Sequence, residues 1–406
     1  MADIYSNAYF TISAAESVDC HYGILNRRDA SIEHIQVWPP LPDQKGDEVK
    51  IFYSDELLPG RIYARRMWSR YQRLWPVDKR ALTFQERILS PRVLCYSRDE
   101  IVWSCRCATA TELWPSLDPT PGMDALARAL GLNSLFNVDE GSFVEIMTLL
   151  PRFLDADDIE EYISDPENIK EYLSDFWCKV VEQYIPRHLT FLSDKLPAIF
   201  GIATALRSDP VRALLLGAYH GGIFEGTLPR SLAWHTIPSD KRQLFDRSIS
   251  TSCQAPTWSW ASVESYVLFI FTRWESRAKD QCKLVAMSDD EITLRGRVVT
   301  TEVECITDND RMIGFGLPLY NYDYSRKFVR VLWDMSTGLV AQLPKAVTCL
   351  LLGYEESHMH DLGGYALVLV SVAIHGRSGV FQRVGIAQRV NRKCFEGVEE
   401  MEVTII

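Results

Sequence analysis

The sequence lacks the features that direct a chain into or across a membrane. No apolar run approaches the ~18 residues that a membrane-spanning helix needs. The N-terminus, MADIYSNAYF, has no basic segment followed by an apolar one, so it does not resemble a secretory signal. The ten cysteines include no C-x-x-C pair, and the spacing of Cys105 and Cys107 does not suit a zinc knuckle. We therefore expect reduced, mostly buried thiols in a cytoplasmic protein without a membrane partner.

Common catalytic and cofactor motifs are also missing. The sequence contains no G-x-S-x-G, H-E-x-x-H, G-x-x-x-x-G-K-[ST] or G-x-G-x-x-G, so the usual signals of hydrolases, zinc proteases, P-loop enzymes and dinucleotide-binding folds are absent. His358 and His360 could ligate a metal, but the following Gly363 and Gly364 favour a polar turn. A net charge of −11 argues against a nucleic-acid partner. We predict no metal and no cofactor.

The remaining composition is that of an ordinary globular protein. A chain of 406 residues with 47% hydrophobic and 24% charged residues can bury a large core and form two or three domains. Helical apolar stripes precede Arg207, and short alternating β-branched runs follow Ala255. The pattern predicts an α+β fold with a mixed α/β unit at 1–114, a linker and helical segment at 115–190, and a helix plus an antiparallel β-rich region at 191–406.

The most informative stretch runs from Lys79 to Arg106. Leu82, Gln85, Ile88 and Leu89 fall at helical spacing, which predicts a helix from about residue 80 to residue 90. Pro91 ends that helix, because proline disfavours the helical conformation at the preceding residue. Short apolar runs at 93–96 and 101–103, separated by a polar turn, predict two strands.

This stretch resembles a known family motif. Residues 80–92 read R-A-L-T-F-Q-E-R-I-L-S-P-R, which is similar to the third signature block of the fungal heterokaryon-incompatibility (HET) domain, R-G-W-T-L-Q-E-R-x-L-S-P-R; the difference lies at Ala81 and Leu82. Further runs resemble the family in the same order. They are D-K-L-P-A-I-F-G-I-A at 194–203, Y-H-G-G-I-F at 219–224, L-P-R-S-L-A-W-H at 228–235 and A-P-T-W-S-W-A-S-V at 255–263.

The N-terminal residues resemble the end of the second family block, so the chain begins inside what would be a HET domain. Met1 could be an alternative start, the start of a truncated gene model, or the true start of a shortened relative. The resemblance implies a mixed α/β unit and a role in fungal nonself recognition and regulated cell death. It also implies a likeness to TIR domains, some of which cleave NAD. Because the first blocks are missing, we expect no NAD hydrolysis by this chain.

A second interpretation belongs to another functional class. The chain could be a cofactor-independent cyclase or isomerase of fungal secondary metabolism that reuses the HET-protein scaffold, since positioning in an aromatic pocket can catalyse such reactions. Its partner would be a small molecule, whereas a recognition protein could also bind a partner protein.

The candidate site lies where Trp, His and Gly are densest. We predict that a small ligand is bound by Trp234, Trp258 and Trp260, with alternation in T-W-S-W placing Trp258 and Trp260 on one face of a strand. Candidate catalytic groups are His220, Glu225 and His235, since a histidine and a carboxylate could share a proton there. The competing interpretations are core tryptophans and structural histidines.

Glu86 is the remaining candidate catalytic residue. It lies within the Q-E-R sequence of the HET-like block, beside Arg87 and within reach of Arg80 or Arg92. Structural ion pairing with one of these arginines is the alternative to a catalytic role.

Overall fold

Helices and mainly antiparallel strands are combined in this protein, which confirms the predicted α+β class. The computed structural model describes residues 2–24, 34–38, 62–65, 75–97, 101–105, 108–111, 118–119, 164–237, 255–270, 281–308, 311–317, 329–335, 340–354 and 363–406. The chain divides into two compact units, Met1–Val144 and Glu145–Ile406. The predicted division at residues 114 and 190 differs from this, since the helix before residue 190 lies in the second unit.

The first unit contains two short helices and seven strands in its described residues. The helices are α1 (Ala2–Ser6) and α2 (Ala81–Leu89). The strands are β1 (Thr11–Ser13), β2 (His34–Trp38), β3 (Ile62–Arg65), β4 (Arg92–Tyr96), β5 (Ile101–Cys105), β6 (Ala108–Thr111) and β7 (Asp118–Pro119). One sheet has the order β1-β4-β5-β6-β7, with β1 parallel to β4 and the other neighbours antiparallel. Strands β2 and β3 form a separate antiparallel pair.

Helix α2 ends where the sequence predicts, at Leu89, and Ser90 has an extended backbone before Pro91. Its buried face differs from the predicted stripe. Leu82 is 41% exposed, whereas Phe84 is 2% exposed. The buried positions are Ala81, Phe84, Gln85, Ile88 and Leu89. Gln85, Ile88 and Leu89 are therefore buried as predicted, whereas the prediction of Leu82 was wrong: Ala81 and Phe84 complete the buried face.

The second unit begins, in its described residues, with three helices. These are α3 (Pro166–Tyr184), α4 (Pro197–Leu206) and α5 (Pro210–Leu216), and each starts with proline, whose missing N–H costs nothing in a first turn. Asp165 and Asp209 cap α3 and α5 through their side chains. A 3-10 turn at Leu192–Asp194 precedes α4, and the N-cap residue of α4 is Leu196.

Strands supply the rest of the second unit. Two hairpins come first: β8 (Tyr219–His220) with β9 (Ile223–Phe224), and β10 (Trp234–Ile237) with β11 (Tyr266–Phe269). The later strands are β12 (Cys282–Met287), β13 (Ile292–Glu302), β14 (Glu304–Asp308), β15 (Arg311–Gly316), β16 (Arg330–Trp333), β17 (Ala346–Tyr354), β18 (Gly364–Ser371), β19 (Val380–Val390) and β20 (Glu400–Ile405).

Five of these strands close into a ring. Strand β13 pairs with β17, β17 with β18, β18 with β19, β19 with β20, and β20 returns to β13. The closing contact is parallel and short, with Val380 opposite Thr404 and Phe381 opposite Ile405. All other pairs in the ring are antiparallel, as expected from the sequence. Closure leaves the five paired strands without a free edge along the ring, so they form a small barrel.

One face of the barrel is apolar in all five strands, and the other face is apolar in β17, β18 and β19. One face carries side chains from all five strands, namely Ile292, Leu294, Leu350, Leu367, Leu369, Ile386, Val403 and Ile405, each at most 1% exposed. On the other face, Val347, Cys349, Ala366 and Val384 join a second buried cluster with Phe395. Burial on two faces explains why β17 and β18 read as continuous apolar runs in the sequence.

A buried arginine joins the barrel to the β10 hairpin. Arg383 of β19 is 0% exposed and donates from Nε to Asp334 at 2.9 Å. Its other nitrogens donate to the carbonyls of Leu232 at 2.7 Å and Trp234 at 2.5 Å. The guanidinium also lies 3.4 Å from the Trp234 ring centroid. A buried charge this fully partnered fixes the geometry of the surrounding elements, since losing one partner is costly.

Some predictions fall outside the described residues. They are the polar turn with His358 and His360, and residues 115–117 and 120–163 of the predicted linker and helical segment. Within the described residues, no helix is both long and apolar enough to cross a membrane. The eight cysteines described are all free thiols, four of them buried.

Candidate functional site

The Gly221–Gly222 turn between β8 and β9 organises the centre of the second unit. Both glycines have positive φ, 52° and 93°. Tight two-residue hairpin turns often require positive φ at both central residues. Aromatic rings lie directly against them. A Cβ added to Gly221 would overlap the ring of Trp258, and one added to Gly222 would lie 2.6 Å from Nε1 of Trp260. Glycine is required at both positions by conformation and by space.

Hydrogen bonds fix the tryptophans around this turn. The indole Nε1 atoms of Trp177 and Trp260 both donate to the carbonyl oxygen of Gly222, each at 2.9 Å. The hydroxyl of Ser259 donates to the carbonyl of Gly221 and accepts from the N–H of Ala261. Ser259 thereby caps a 3-10 turn at Trp260–Ser262, so the predicted strand over T-W-S-W was wrong. The Gly-Gly turn and the W-S-W run stabilise each other.

All three predicted ligand-binding tryptophans lie in the interior. Trp234, Trp258 and Trp260 are each 0% exposed. Trp234 donates from Nε1 to the carbonyl of Trp258 at 3.1 Å. Their burial favours the interpretation of all three tryptophans as core residues. Direct contact between these rings and a ligand stays a prediction.

The same segments line a groove of about 370 Å³. Its wall is built from Leu192, Ser193, Lys195, Leu196, Pro197, Gly221, Ala255, Pro256, Ala261, Asp289 and Asp290. None of the three tryptophans is part of this wall; they lie behind it. Three sequence runs that resemble the HET family, at 194–203, 219–224 and 255–263, each contribute lining residues. A cavity of this size suits a small molecule.

Lys195 and the Asp289–Asp290 pair are groove residues that the sequence did not suggest. Lys195 is 7% exposed, donates from Nζ to the carbonyl of Val263, and lies 5.5 Å from the Trp260 ring centroid. Asp289 and Asp290 lie in the turn between β12 and β13. A polar D-D-E turn in sequence looks like any solvated hairpin, and the only signal at Lys195 was its place in the D-K-L run.

His220 is the one predicted catalytic residue at the groove. Its Nδ1 lies 3.1 Å from Oδ1 of Asp289, and both Asp289 and the neighbouring Gly221 line the groove. The predicted carboxylate partner was Glu225, and here the structure differs. Oε2 of Glu225 accepts from the N–H of Ala218 at 2.9 Å, which fixes the base of the hairpin. A His220–Asp289 pair is an arrangement through which a proton can move.

His235 lies on β10, away from this pair. Its Nδ1 is 3.3 Å from the carbonyl oxygen of Thr236, and in the hairpin it faces Leu268 of β11. The three predicted catalytic residues therefore do not form one acid–base site, because His220, Glu225 and His235 each contact a different partner.

A buried phenol lies close to the groove. The hydroxyl of Tyr219 is buried and has no hydrogen-bond partner among the residues described. Burial raises the pKa of Tyr219, and the nearby Tyr184 and Asp289 raise it further, so the phenol stays protonated. Its ring packs against Trp177, Phe224 and Phe200.

Glu86 belongs to the first unit and lies on α2. Burial raises its pKa, while a hydrogen bond from Tyr5 and the charge of Arg80 lower it in part. The neighbouring Arg87 is engaged elsewhere: its guanidinium lies 2.9 Å from Asp78 and stacks 5.3 Å from the Trp75 ring centroid. A half-buried carboxyl with a phenol partner fits a structural role, and catalysis by Glu86 stays a prediction.

Comparisons with known protein families, with curated protein sequences and with solved structures find no match for this chain. In the part of the chain that the structure describes, no three histidine, cysteine or acidic side chains group as a metal site would require.

Proposed function

We propose that the chain is a HET-domain-like protein of fungal nonself recognition and regulated cell death, whose second unit recognises a small ligand in the groove. The observation that carries this proposal is the origin of the groove wall. Residues from three HET-like runs, distant in sequence, meet there: Leu196 and Pro197 from the first, Gly221 from the second, and Ala255, Pro256 and Ala261 from the third.

Rigidity of the wall also supports a recognition role. Gly221 is held from behind by the Trp258 ring and by the hydroxyl of Ser259. Lys195 is anchored through its side chain to Val263 and through its carbonyl to the hydroxyl of Tyr184, at 2.7 Å. A groove whose lining is fixed before binding loses little entropy when a ligand enters. Such a surface discriminates between ligands by shape and charge.

The proposal is tested by inducing the chain in a filamentous fungus and counting dead hyphal compartments with a vital dye. The key variant is Ser193→Trp, which places a large ring in the groove at an exposed position. Ser208→Trp is the matched control, because Ser208 is also exposed and lies outside the groove wall. We expect cell death with the unaltered chain and with Ser208→Trp, and much less with Ser193→Trp.

Equal protein levels, checked by immunoblot, make the comparison valid. Induction without cell death would refute the regulated-death proposal. Death that is equally strong with Ser193→Trp would show that the groove has no part in it.

The second candidate function is a cofactor-independent cyclase or isomerase, and the His220–Asp289 pair favours it. An acid–base pair at the edge of a partly apolar groove is what a proton-transfer reaction without a cofactor needs. Metabolite profiles of a strain that carries His220→Gln would test this candidate. A product that disappears in that strain, together with a neighbouring polyketide or terpene synthase gene, would favour the enzyme; unchanged profiles would count against it.

A further inference from the structure

The groove has an uneven distribution of charge. Its wall contains one cationic side chain, Lys195, and two carboxylates, Asp289 and Asp290. The remaining lining residues are Ser193, Gly221 and small or aliphatic side chains. The charge that the groove offers to a ligand depends on which of these charged groups already have hydrogen-bond or ion-pair partners within the protein.

The charge of Lys195 is used within the protein. Its Nζ donates to the carbonyl of Val263 and lies over the face of Trp260, at 5.5 Å from the ring centroid. A carbonyl oxygen and an aromatic face are both favourable surroundings for an ammonium group. The lysine is also buried, at 7% exposure, so its contribution to the groove is mainly its alkyl stem.

The carboxylates remain open to a ligand. Asp289 has 80% of its side chain exposed and receives His220 on one oxygen. A carboxylate accepts about four hydrogen bonds, so one histidine leaves capacity on Asp289. For Asp290, the one hydrogen bond found among the described residues is made by its backbone N–H, which donates to Ser288 at 3.4 Å. Two adjacent carboxylates therefore face the groove with acceptor sites available.

The rest of the wall is apolar and small. Leu192, Leu196 and Pro197 form one side, and Ala255, Pro256 and Ala261 come from the W-S-W segment. These residues have few rotamers to lose, and they offer dispersion contacts but no hydrogen-bond donors from their side chains. An apolar body fits this surface, and a cationic head fits the carboxylates. The net charge of −11 favours the approach of a cation.

We propose that the groove binds an apolar amine, with its ammonium group on Asp289 and Asp290 and its hydrocarbon part against Leu196, Pro197 and Pro256. This inference deepens the proposed function, because it names the class of ligand for the same groove. The volume of about 370 Å³ sets the size of the ligand to that of a small organic molecule rather than a folded partner.

The experiment compares three probes with the same phenylethyl body and different polar heads on the purified full chain. They are 2-phenylethylamine, 2-phenylethanol and 3-phenylpropanoate, with binding followed by saturation-transfer difference NMR and isothermal titration calorimetry. We expect the amine to bind about tenfold more tightly than the alcohol, since a charge-assisted hydrogen bond is stronger than a neutral one. The carboxylate should bind most weakly of the three.

Variants locate the interaction. Asp289→Asn combined with Asp290→Asn should weaken amine binding about tenfold, to the level of the alcohol, and leave alcohol binding unchanged. Glu399→Gln is the matched control, since it removes an exposed carboxylate outside the groove wall. Ser193→Trp should prevent binding of the amine and the alcohol alike. The substituted positions are exposed, so a melting curve should confirm that each variant is folded.

Each outcome decides something. Equal binding of amine and alcohol would overturn the ligand class, and an amine preference that persists in the double asparagine variant would overturn the site. The cell-death assay separates this inference from the proposed function. If the amine binds as expected but the Ser193→Trp variant still causes cell death, the amine ligand is supported and the recognition role of the groove is refuted. If the Ser193→Trp variant no longer causes cell death but no amine binds, the recognition role of the groove is supported and the proposed ligand class is refuted.

Discussion

Replacing Gly222 by alanine should destabilise the second unit strongly, for two separable reasons. The φ of 93° is strained for any residue with a Cβ, at a cost of about 1–2 kcal/mol. The new Cβ would also lie 2.6 Å from Nε1 and 2.8 Å from Cε2 of Trp260, whose ring is fully buried. Overpacking of this kind costs about 1–3 kcal/mol. Together these terms predict a loss of about 2–5 kcal/mol.

The chain contains a matched control that isolates the second reason. Gly376 has a φ of 76°, and a Cβ added there would meet nothing within 4 Å. Gly376→Ala should therefore show the backbone cost alone. Urea unfolding followed by tryptophan fluorescence measures both variants, because the rings around Gly222 report on this unit directly. The difference between the two losses is the steric term, expected at about 1–3 kcal/mol.

A Gly222→Ala variant that loses no more stability than Gly376→Ala would refute this prediction. That result would mean that the Trp260 ring moves aside freely, and that the indole hydrogen bonds to the Gly222 carbonyl do not fix the turn. The same result would remove the reason for treating the groove wall beside it as rigid.

Two further predictions concern the buried groups of the second unit. Trp260→Phe should lower the free energy of unfolding by about 2–4 kcal/mol, because it removes both ring volume and the 2.9 Å hydrogen bond to the Gly222 carbonyl. A melting temperature equal to that of the unaltered chain would contradict the interpretation of Trp260 as a core residue. Burial raises the pKa of Asp175 to about 6 despite its contact with Arg230, so the folded state binds this proton more tightly than the unfolded state. The stability contributed by that proton is present below the ordinary pKa of about 4 and is lost as the pH rises through about 6. Urea unfolding of Asp175→Asn should lack this slope, and an identical slope in both proteins would refute the assignment.

Local signals predicted the local structure well. Helix α2, its end before Pro91 and the two strands after it follow from apolar spacing and from the chemistry of proline. The antiparallel character of the C-terminal region followed from alternating β-branched runs. These features depend on neighbours within a few residues, which the sequence displays directly.

Features that depend on distant contacts were missed. The T-W-S-W run alternates like a strand, but the hydrogen bond from Ser259 to Gly221 and the two indole bonds to Gly222 hold the segment in a turn. The partner of His220 was predicted within the same run and comes instead from Asp289, 69 residues later. Barrel closure by β20 has no local signal either. The groove could be placed approximately from the sequence, but its charged residues could not.

The order in which the barrel strands are synthesised has a consequence for how the protein reaches its native state. The strand that completes the ring, β20, is the last of the five to leave the ribosome. It pairs with β13, which lies far away in sequence. The hydroxyls of Thr293 and Thr404, for example, lie 3.0 Å from each other, although the two residues are separated by 111 positions in the chain. Contacts of such high sequence separation form slowly. Until they form, the two-sided apolar strands β17 and β18 lack the closed ring around them. The nascent chain is therefore prone to aggregation at β17 and β18 until β20 joins the ring.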